Sequence, residues 1–322
     1  MTIRVSVVVP TYRRTALLER CLAALAAQTL PPNAYEVVVV HDGPSAGARR
    51  TVESWARRND RAARFHELAT RRGPAAARNR GWSDSGAELV AFTDDDTIPD
   101  AHWLENGLAG FTPEVDAAWG RLVMPLGDAP TDYELDAAAL AHAPFVTANC
   151  FCRRSVLERL GGFDERFEQA WREDSDLYFR LLDSGARIVH LRNATVVHPI
   201  RPARWGVSLQ QQRKIVFDAL LYKKHPALYR ARIRKQPRWD YYATVVALGV
   251  CVLAAERGAP TAALAAGGGW LALTARFCAA RLAGASKSPA HVAEMVVTSA
   301  AIPLAAVFWR FVGALRFRVL FL

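Results

Sequence analysis

Short apolar runs alternate with helical periodicity through the first hundred residues, and three of the runs end in a polar cluster. Val5 to Pro10 is the first run, closed by Pro10-Thr11. Ala16 to Ala27 then carries Leu17, Leu18, Cys21, Leu22 and Leu25 at the spacing of one helix face. Pro31-Pro32-Asn33 breaks that helix, and Tyr35 to Val40 forms a second strand ending at Asp42-Gly43. Thr51 to Arg58 reads as a helix and residues 65–68 as a third strand. Gly73 to Trp82 reads as a loop entering a helix, and Glu88 to Thr93 as a strand running into three aspartates. Strands that are apolar throughout and separated by helices imply an α/β fold whose mostly parallel sheet is covered on both faces. Ligands bind such sheets beyond the carboxyl ends of the strands, where the polar clusters after Val9, Val40 and Thr93 would sit. From Phe145 to His198 the order becomes mixed, with a strand near 145–152, helices near 155–160 and 174–184, and a last strand near 187–197.

The remainder has a different character. Residues 201–322 hold 18 Lys or Arg against four acidic residues, so the net charge of +10 belongs to this part, and residues 1–200 are net acidic. A basic segment suits nucleic acid or an anionic membrane surface, and the apolar runs within this one favour membrane lipids, with no nucleic acid as partner. Tyr241 to Ala255, Gly258 to Ala275 and Met295 to Trp309 are free of charge, at 15, 18 and 15 residues. A straight span needs about 20 apolar residues, so Glu256-Arg257 reads as the tip of a hairpin over 241–275. The expected organisation is therefore a catalytic domain over 1–200, a basic, partly helical linker at the membrane surface over 201–238, and hydrophobic helices over 239–322. Basic residues before 240 and after 275 place both hairpin ends in the cytoplasm. The third apolar segment, 292–309, would strand Arg310, Arg316 and Arg318 outside if it spanned, and is equally read as re-entrant or interfacial. Helices buried in a soluble core would show the same runs. The chain opens directly on a strand without a signal peptide, so the expected location is the inner or cytoplasmic membrane with the catalytic domain facing the cytoplasm. Cys21, Cys150, Cys152, Cys251 and Cys278 show no paired spacing and read as small buried side chains of a reducing compartment.

Thr93-Asp94-Asp95-Asp96 is the most chemical feature. Three adjacent carboxylates repel one another unless a cation sits among them. In an extended segment Asp94 and Asp96 face the same way, and two hard oxygen ligands suit Mg²⁺ or Mn²⁺, which would in turn hold a nucleotide diphosphate. A solvated acidic turn would look the same.

Context separates the two. Val5-Ser6-Val7-Val8-Val9-Pro10-Thr11-Tyr12-Arg13-Arg14 is followed by Val39-Val40-His41-Asp42-Gly43 and by Gly73-Pro74-Ala75-Ala76-Ala77-Arg78-Asn79-Arg80-Gly81. After the aspartates come Gly161-Gly162-Phe163-Asp164-Glu165 and Arg172-Glu173-Asp174-Ser175-Asp176-Leu177. This ordered set, over roughly residues 3–200, resembles the inverting family 2 glycosyltransferases, whose catalytic domain has the Rossmann-like GT-A fold. The resemblance implies a nucleotide-sugar donor, a divalent cation, and a lipid-linked or cell-envelope glycan as acceptor. It assigns Asp42 to the donor base, with Pro10, Thr11 and Tyr12 lining that pocket. Arg78 would lie against the base or diphosphate, Asp94 and Asp95 would belong to the donor site, and Asp96 with His198 would hold the metal. Asp174 would be the base that takes the acceptor's hydroxyl proton, with Glu173 orienting it or the acceptor. Polymer-forming members carry Gln-x-x-Arg-Trp, whereas here Gln210-Gln211-Gln212-Arg213-Lys214 ends in Lys, which favours transfer of a single sugar. A polyprenyl-phosphate glycosyltransferase, needing no hydroxyl base, is the nearest rival. A non-catalytic membrane scaffold on a degenerate fold is the rival from another class. Arg121 and the stretch 119–135 are expected to shape the sugar or acceptor pocket.

Overall fold

The computed structural model describes residues 3–321. In chain order its main elements are β1 (Val5–Thr11), α1 (Thr15–Ala26), β2 (Tyr35–His41), α2 (Ala46–Asn59), β3 (Ala63–Glu67), α3 (Pro74–Ser83), β4 (Leu89–Phe92), β5 (Ile98–Pro99), α4 (Trp103–Ala109), β6 (Ala117–Val123) and α5 (Asp132–Ala138). Then follow β7 (Cys150–Arg153), α6 (Arg154–Leu160), α7 (Glu173–Asp183), β8 (Ile188–Val197), α8 (Val207–Gln211), α9 (Val216–Lys224), α10 (Pro226–Arg232), α11 (Trp239–Glu256), α12 (Pro260–Leu282) and α13 (Pro289–Phe317). They pack into two compact units. One contains the chain up to Pro125 and Ala138–Ile200, the other Leu126–Ala137 and the chain from Arg201.

The first unit is built on an eight-stranded sheet ordered β3-β2-β1-β4-β7-β6-β8-β5. Strands β3, β2, β1 and β4 are parallel, as the apolar runs imply. The rest is mixed: β7 runs antiparallel to β4 and β6, β8 lies parallel to β6, and β5 is antiparallel to β8. The sheet is thus mostly parallel as expected, with six strands sharing one direction and β7 and β5 reversed in the half where the sequence order becomes mixed. Cys150, Phe151 and Cys152 of β7 are fully buried, and a strand buried on both faces has the same composition in either direction. The strand expected from 145 starts only at Cys150, because Phe145 takes a positive φ of 56° and Thr147–Asn149 forms a 3-10 turn.

Every residue of β1 and β2 is buried, which explains their continuous apolar runs. Two polar residues interrupt them, and each has a partner. Ser6 Oγ donates to Glu36 Oε1 at 2.6 Å, and Arg64 pairs with Glu36 at 2.9 Å. Helix α1 buries Leu18, Cys21, Leu22 and Leu25 against the sheet, each leucine contributing roughly 1.5–3 kcal/mol. Since β8 runs in the same direction as β1, β2 and β4, the carboxyl ends of all four open on one edge of the sheet. That edge carries Thr11, Asp42, the aspartate triplet and His198.

In the second unit α11 and α12 are joined by residues 257–259 and form a hairpin. Helices α11, α12 and α13 have 18, 23 and 29 residues, and an 18-residue stretch of each has a mean hydropathy of 1.2, 1.2 and 1.7. At 1.5 Å per residue they are about 27, 35 and 44 Å long, so each is long and apolar enough to cross a bilayer. Leu126–Ala137, which overlaps the stretch expected to shape the sugar or acceptor pocket, is fixed to these helices. Arg281 of α12 pairs with Asp132 at 2.7 Å, and Ser286 N donates to Pro130 O at 2.7 Å.

Candidate active site

The end of β1 and the end of β2 form one wall. Pro10 sits opposite Val40, beyond Val8, where pairing with β4 stops, so its missing N–H falls where only one neighbour remains. Thr11 Oγ1 donates to Asp95 Oδ2 at 2.7 Å. Asp42 accepts from Arg72 N at 2.7 Å and from Gly73 N at 2.9 Å. A carboxylate has about four acceptor positions, so Asp42 anchors the loop before α3 and keeps capacity for a ligand N–H. Tyr12 stands beside it with Arg71 4.7 Å above its ring, and the Arg71 Nε lies 3.9 Å from Asp42.

The three aspartates do not share one direction. β4 stops at Phe92 and the chain turns, with Thr97 N and Oγ1 both donating to Asp94 O. The extended geometry expected from the sequence is therefore a turn, yet Asp94 and Asp96 still converge. Asp94, Asp96 and His198 each offer a ligand atom within 4.8 Å of the others, and His198 Nε2 is 3.5 Å from Asp96 Oδ1. Asp95 turns back into the protein, held by Thr11 and by Arg14 Nη1 at 3.1 Å. Burial pushes the Asp95 carboxyl up, with Arg14 and Thr11 opposing. Burial also acts to raise Asp94, but Arg78, His198 and Arg14 outweigh it and hold this carboxyl below the usual range.

Arg78 on α3 joins this cluster to the next. It is buried, and donates to Asp94 Oδ1 at 2.7 Å and to Glu173 Oε1 at 2.9 Å. α7 begins at Glu173, just after Arg172 at a positive φ of 74°. A non-glycine residue there costs of order 1–3 kcal/mol, and the turn delivers both carboxyls to the helix N-terminus, where the dipole favours negative charge. Asp174 Oδ1 accepts from Ser175 N at 2.6 Å. Even so, burial raises the Asp174 carboxyl above its usual range, the Ser175 amide opposing. Burial likewise pushes Glu173 up to about 7, although Arg78 draws it down. Asp176 is different: fully buried and paired with Arg180 at 2.9 Å, it belongs to the scaffold. Arg180 also donates to Leu160 O and Gly162 O, and Asn79 bonds Phe163 N and O. The Gly161-Gly162-Phe163 motif is thereby locked beneath Arg78, whose guanidinium lies 5.7 Å from the Phe163 ring.

Two carboxylates and an imidazole are a donor set that Mg²⁺ or Mn²⁺ accepts. Within this cluster three buried side-chain atoms, His198 Nδ1, Arg78 Nε and Glu173 Oε2, have no hydrogen-bond partner. Together with that donor set, they show that the residues present fit a bound cation and an anionic ligand. Alternation in the sequence paired Asp94 with Asp96 as oxygen ligands, while the resemblance put Asp94 on the donor and Asp96 with His198 on the metal; the geometry brings ligand atoms of all three within 4.8 Å of one another. Sequence reasoning missed Arg14 and Arg71. Their signal was the pair of basic doublets, Arg13-Arg14 and Arg71-Arg72, each at a strand-end loop.

Comparison with known proteins gives the family and the fold. A family model described as Glycosyl transferase family 2 matches residues 6–162, and one described as Glycosyl transferase family group 2 matches residues 89–315. Glycosyltransferase AglE of Haloferax volcanii is 28% identical over 223 residues, covering 66% of this chain and 71% of that protein. The pre-mycofactocin glycosyltransferase of Mycobacterium tuberculosis is 32% identical over 221 residues, 61% of this chain but only 43% of that relative's length. Among solved structures, mannosyltransferase PcManGT from Pyrobaculum calidifontis, in complex with GDP-Man and Mn²⁺, superposes with a TM-score of 0.57 at 22% identity. That match covers 99% of this chain and 88% of PcManGT, and it shows the GT-A fold. The chain belongs to the family 2 glycosyltransferases.

Proposed function

We propose that the chain transfers one sugar, with inversion, from a nucleotide-sugar donor to a hydroxyl of a membrane- or cell-envelope-associated acceptor. The observation that carries this reading is the continuous run of Asp96, His198, Asp94, Arg78 and Glu173, which ends beside Asp174. Tyr12 and Asp42 hold the donor base, and Pro10 and Thr11 floor that pocket. Arg78, always charged, neutralises the anion next to it and is fixed by its two carboxylates. When bound, a divalent cation on Asp96, His198 and Asp94 supplies positive charge for the leaving diphosphate. Asp174 receives the proton of the acceptor hydroxyl as its oxygen bonds to the anomeric carbon and the bond from that carbon to the diphosphate breaks. A base so placed typically contributes about 10²–10⁴ in rate. Glu173 positions Arg78. Support for a nucleotide-sugar and a metal comes also from PcManGT, which was solved with GDP-Man and Mn²⁺. The three apolar helices support an acceptor at the membrane, with the catalytic unit on the cytoplasmic face.

The test is binding and hydrolysis of a panel of nucleotide-sugars by full-length protein in detergent, with Mg²⁺, with Mn²⁺ or with chelator. One donor should turn over with metal, Asp174→Asn should lose that turnover, and Asp96→Ala should lose it at the metal concentration that suffices for the wild type. Failure to bind any donor under all conditions overturns the reading and favours a scaffold. A nearly unaffected Asp174→Asn would point to a lipid phosphate as acceptor, which brings no hydroxyl proton to remove.

A further inference from the structure

The three long apolar helices have different surroundings. In α11 only Tyr241 and Thr244 are buried, and in α12 only Cys278 and Arg281. Burial in the hairpin is thus confined to its base, where the chain enters α11 and leaves α12. Helix α13 is buried along its whole length on one face, through His291, Met295, Thr298, Ser299, Ile302, Ala306, Arg310 and Gly313.

The partners of that face run in order along polar chain. His291 Nε2 accepts from Asp132 N at 3.2 Å, and a Glu294 carboxylate oxygen accepts from Gly206 N at 2.7 Å. The middle of α13 meets the hairpin base: Arg281 donates to Thr298 Oγ1 at 2.7 Å, and Ile302 and Ala306 pack with Tyr241. Beyond it, Arg213 lies 5.8 Å over the Trp309 ring, and a Cβ on Gly313 would come within 2.9 Å of Val216 O. At the end, Lys223 Nζ donates to Phe317 O at 2.8 Å. If α13 crossed a bilayer, residues 206–223 would have to cross beside it. They fold as short helices and carry Arg213, Lys214, Asp218 and Lys223. Each such charge costs roughly 2.5–3.5 kcal/mol at the centre of a membrane on insertion scales.

The other face of α13 is apolar and open. Val297, Leu304, Phe308, Phe311 and Leu315 follow at intervals of seven, four, three and four, and are 54%, 40%, 56%, 62% and 64% exposed. The hairpin helices also expose apolar side chains, among them Val246, Val250, Leu264 and Leu271, and exposed Arg316 and Arg318 follow at the end of α13.

We propose that α13 lies flat in the membrane–water interface, with its outer stripe in the acyl boundary, and that the chain crosses the bilayer only by the α11–α12 hairpin. The occupant of the stripe is the lipid surface. This rests on the membrane reading of the hairpin above. It returns Phe317 to the side on which Trp239 enters. It also keeps Arg310, Arg316 and Arg318 with the basic residues of 223–238, as the positive-inside tendency requires, near anionic headgroups.

The test uses the full chain, its native cysteines replaced by alanine. Spin labels at Leu304, Phe308, Phe311 and Leu315 in bilayer discs report depth. In sealed vesicles, Arg50→Cys, Arg257→Cys and Leu320→Cys report sidedness to an impermeant maleimide. The four labels should share one depth near the headgroups, Leu320→Cys should label with Arg50→Cys, and Arg257→Cys from the opposite side. A depth that changes by about 16 Å from 304 to 315 at 1.5 Å per residue, with Leu320→Cys labelling alongside Arg257→Cys, overturns the proposal in favour of a third span. Labelling of Arg257→Cys from the Arg50 side, with water-exposed spin labels, overturns it together with its hairpin premise. Neither failure touches donor turnover, which is measured separately.

Discussion

At the residue scale, Asp174 and Glu173 show a site held against its own stability. Burial raises both carboxyls, so the folded chain binds their protons more tightly than the unfolded chain. Their contribution to stability is present at low pH and lost as pH rises through the raised values. Asp174→Asn should therefore leave the melting temperature unchanged or slightly higher at neutral pH while lowering kcat by about 10²–10⁴. Thermal unfolding and turnover on the same preparation check both halves. Because the proton acceptor must be ionised, the rate should rise with pH through a value above the ordinary carboxylate range, and fall as the medium is acidified. The metal cluster gives a second expectation. Asp96→Ala should raise the Mn²⁺ concentration for half-maximal rate at least as much as loss of an outer-shell partner does, about 10–100-fold, with His198→Ala in the same direction. A metal titration of donor turnover reads this directly. The aspartates were visible in the sequence, but the reason they converge was not. Alternation in a strand would have paired Asp94 with Asp96 and left Asp95 opposite, and a turn achieves the same result through Thr97. Arg14, which neutralises Asp95 and Asp96, could not be recognised because a loop arginine shows its partner only once the strands are ordered.

At the element scale, local conformation carries the site. Gly73 sits at φ 94°, and a Cβ there would lie 2.3 Å from Glu168 O. Its N–H and that of Arg72 hold Asp42. Gly73→Ala should cost at least about 2 kcal/mol, from the positive φ together with the backbone clash, and should weaken donor binding through Asp42. Gly258→Ala is the matched control: φ is 70° with nothing within 4 Å of the added carbon, so only the roughly 1–2 kcal/mol of the left-handed backbone is expected, with no clash added. Equal effects in thermal unfolding and donor titration would contradict this account. Strands β1, β2 and β4 and helix α1 could be read from the sequence because burial on both faces, or on one stripe, leaves a compositional trace. Strand β6, Ala-Ala-Trp-Gly-Arg-Leu-Val, could not. It contains a register shift between Gly120 and Arg121, and Gly120 is packed so closely that a Cβ would meet Ala194 O at 2.1 Å. The composition of such a strand records a close approach and hides its burial.

At the scale of the whole molecule, the chain leaves the first unit after Pro125, contributes Leu126–Ala137 to the second, and returns. Nothing in the composition of 126–137 announces this, because the partners lie some 150 residues further along. Arg281 is 8% exposed and makes four hydrogen bonds: two to Asp132, one to Thr298 and one to Ser299. A buried ion pair of this kind gives little net stability, but loss of one partner leaves the other charge uncompensated at roughly 3–5 kcal/mol. Asp132→Asn and Arg281→Met should each lower the melting temperature in detergent and expose 126–137 to protease. The double variant should recover much of the loss, since no orphaned charge remains, which gives a favourable interaction term in the cycle. Purely additive losses would mean that Thr298 and Ser299 alone satisfy Arg281. In that case the hold on this segment would rest on contacts such as the backbone bond from Ser286 to Pro130 and the bond from Asp132 N to His291.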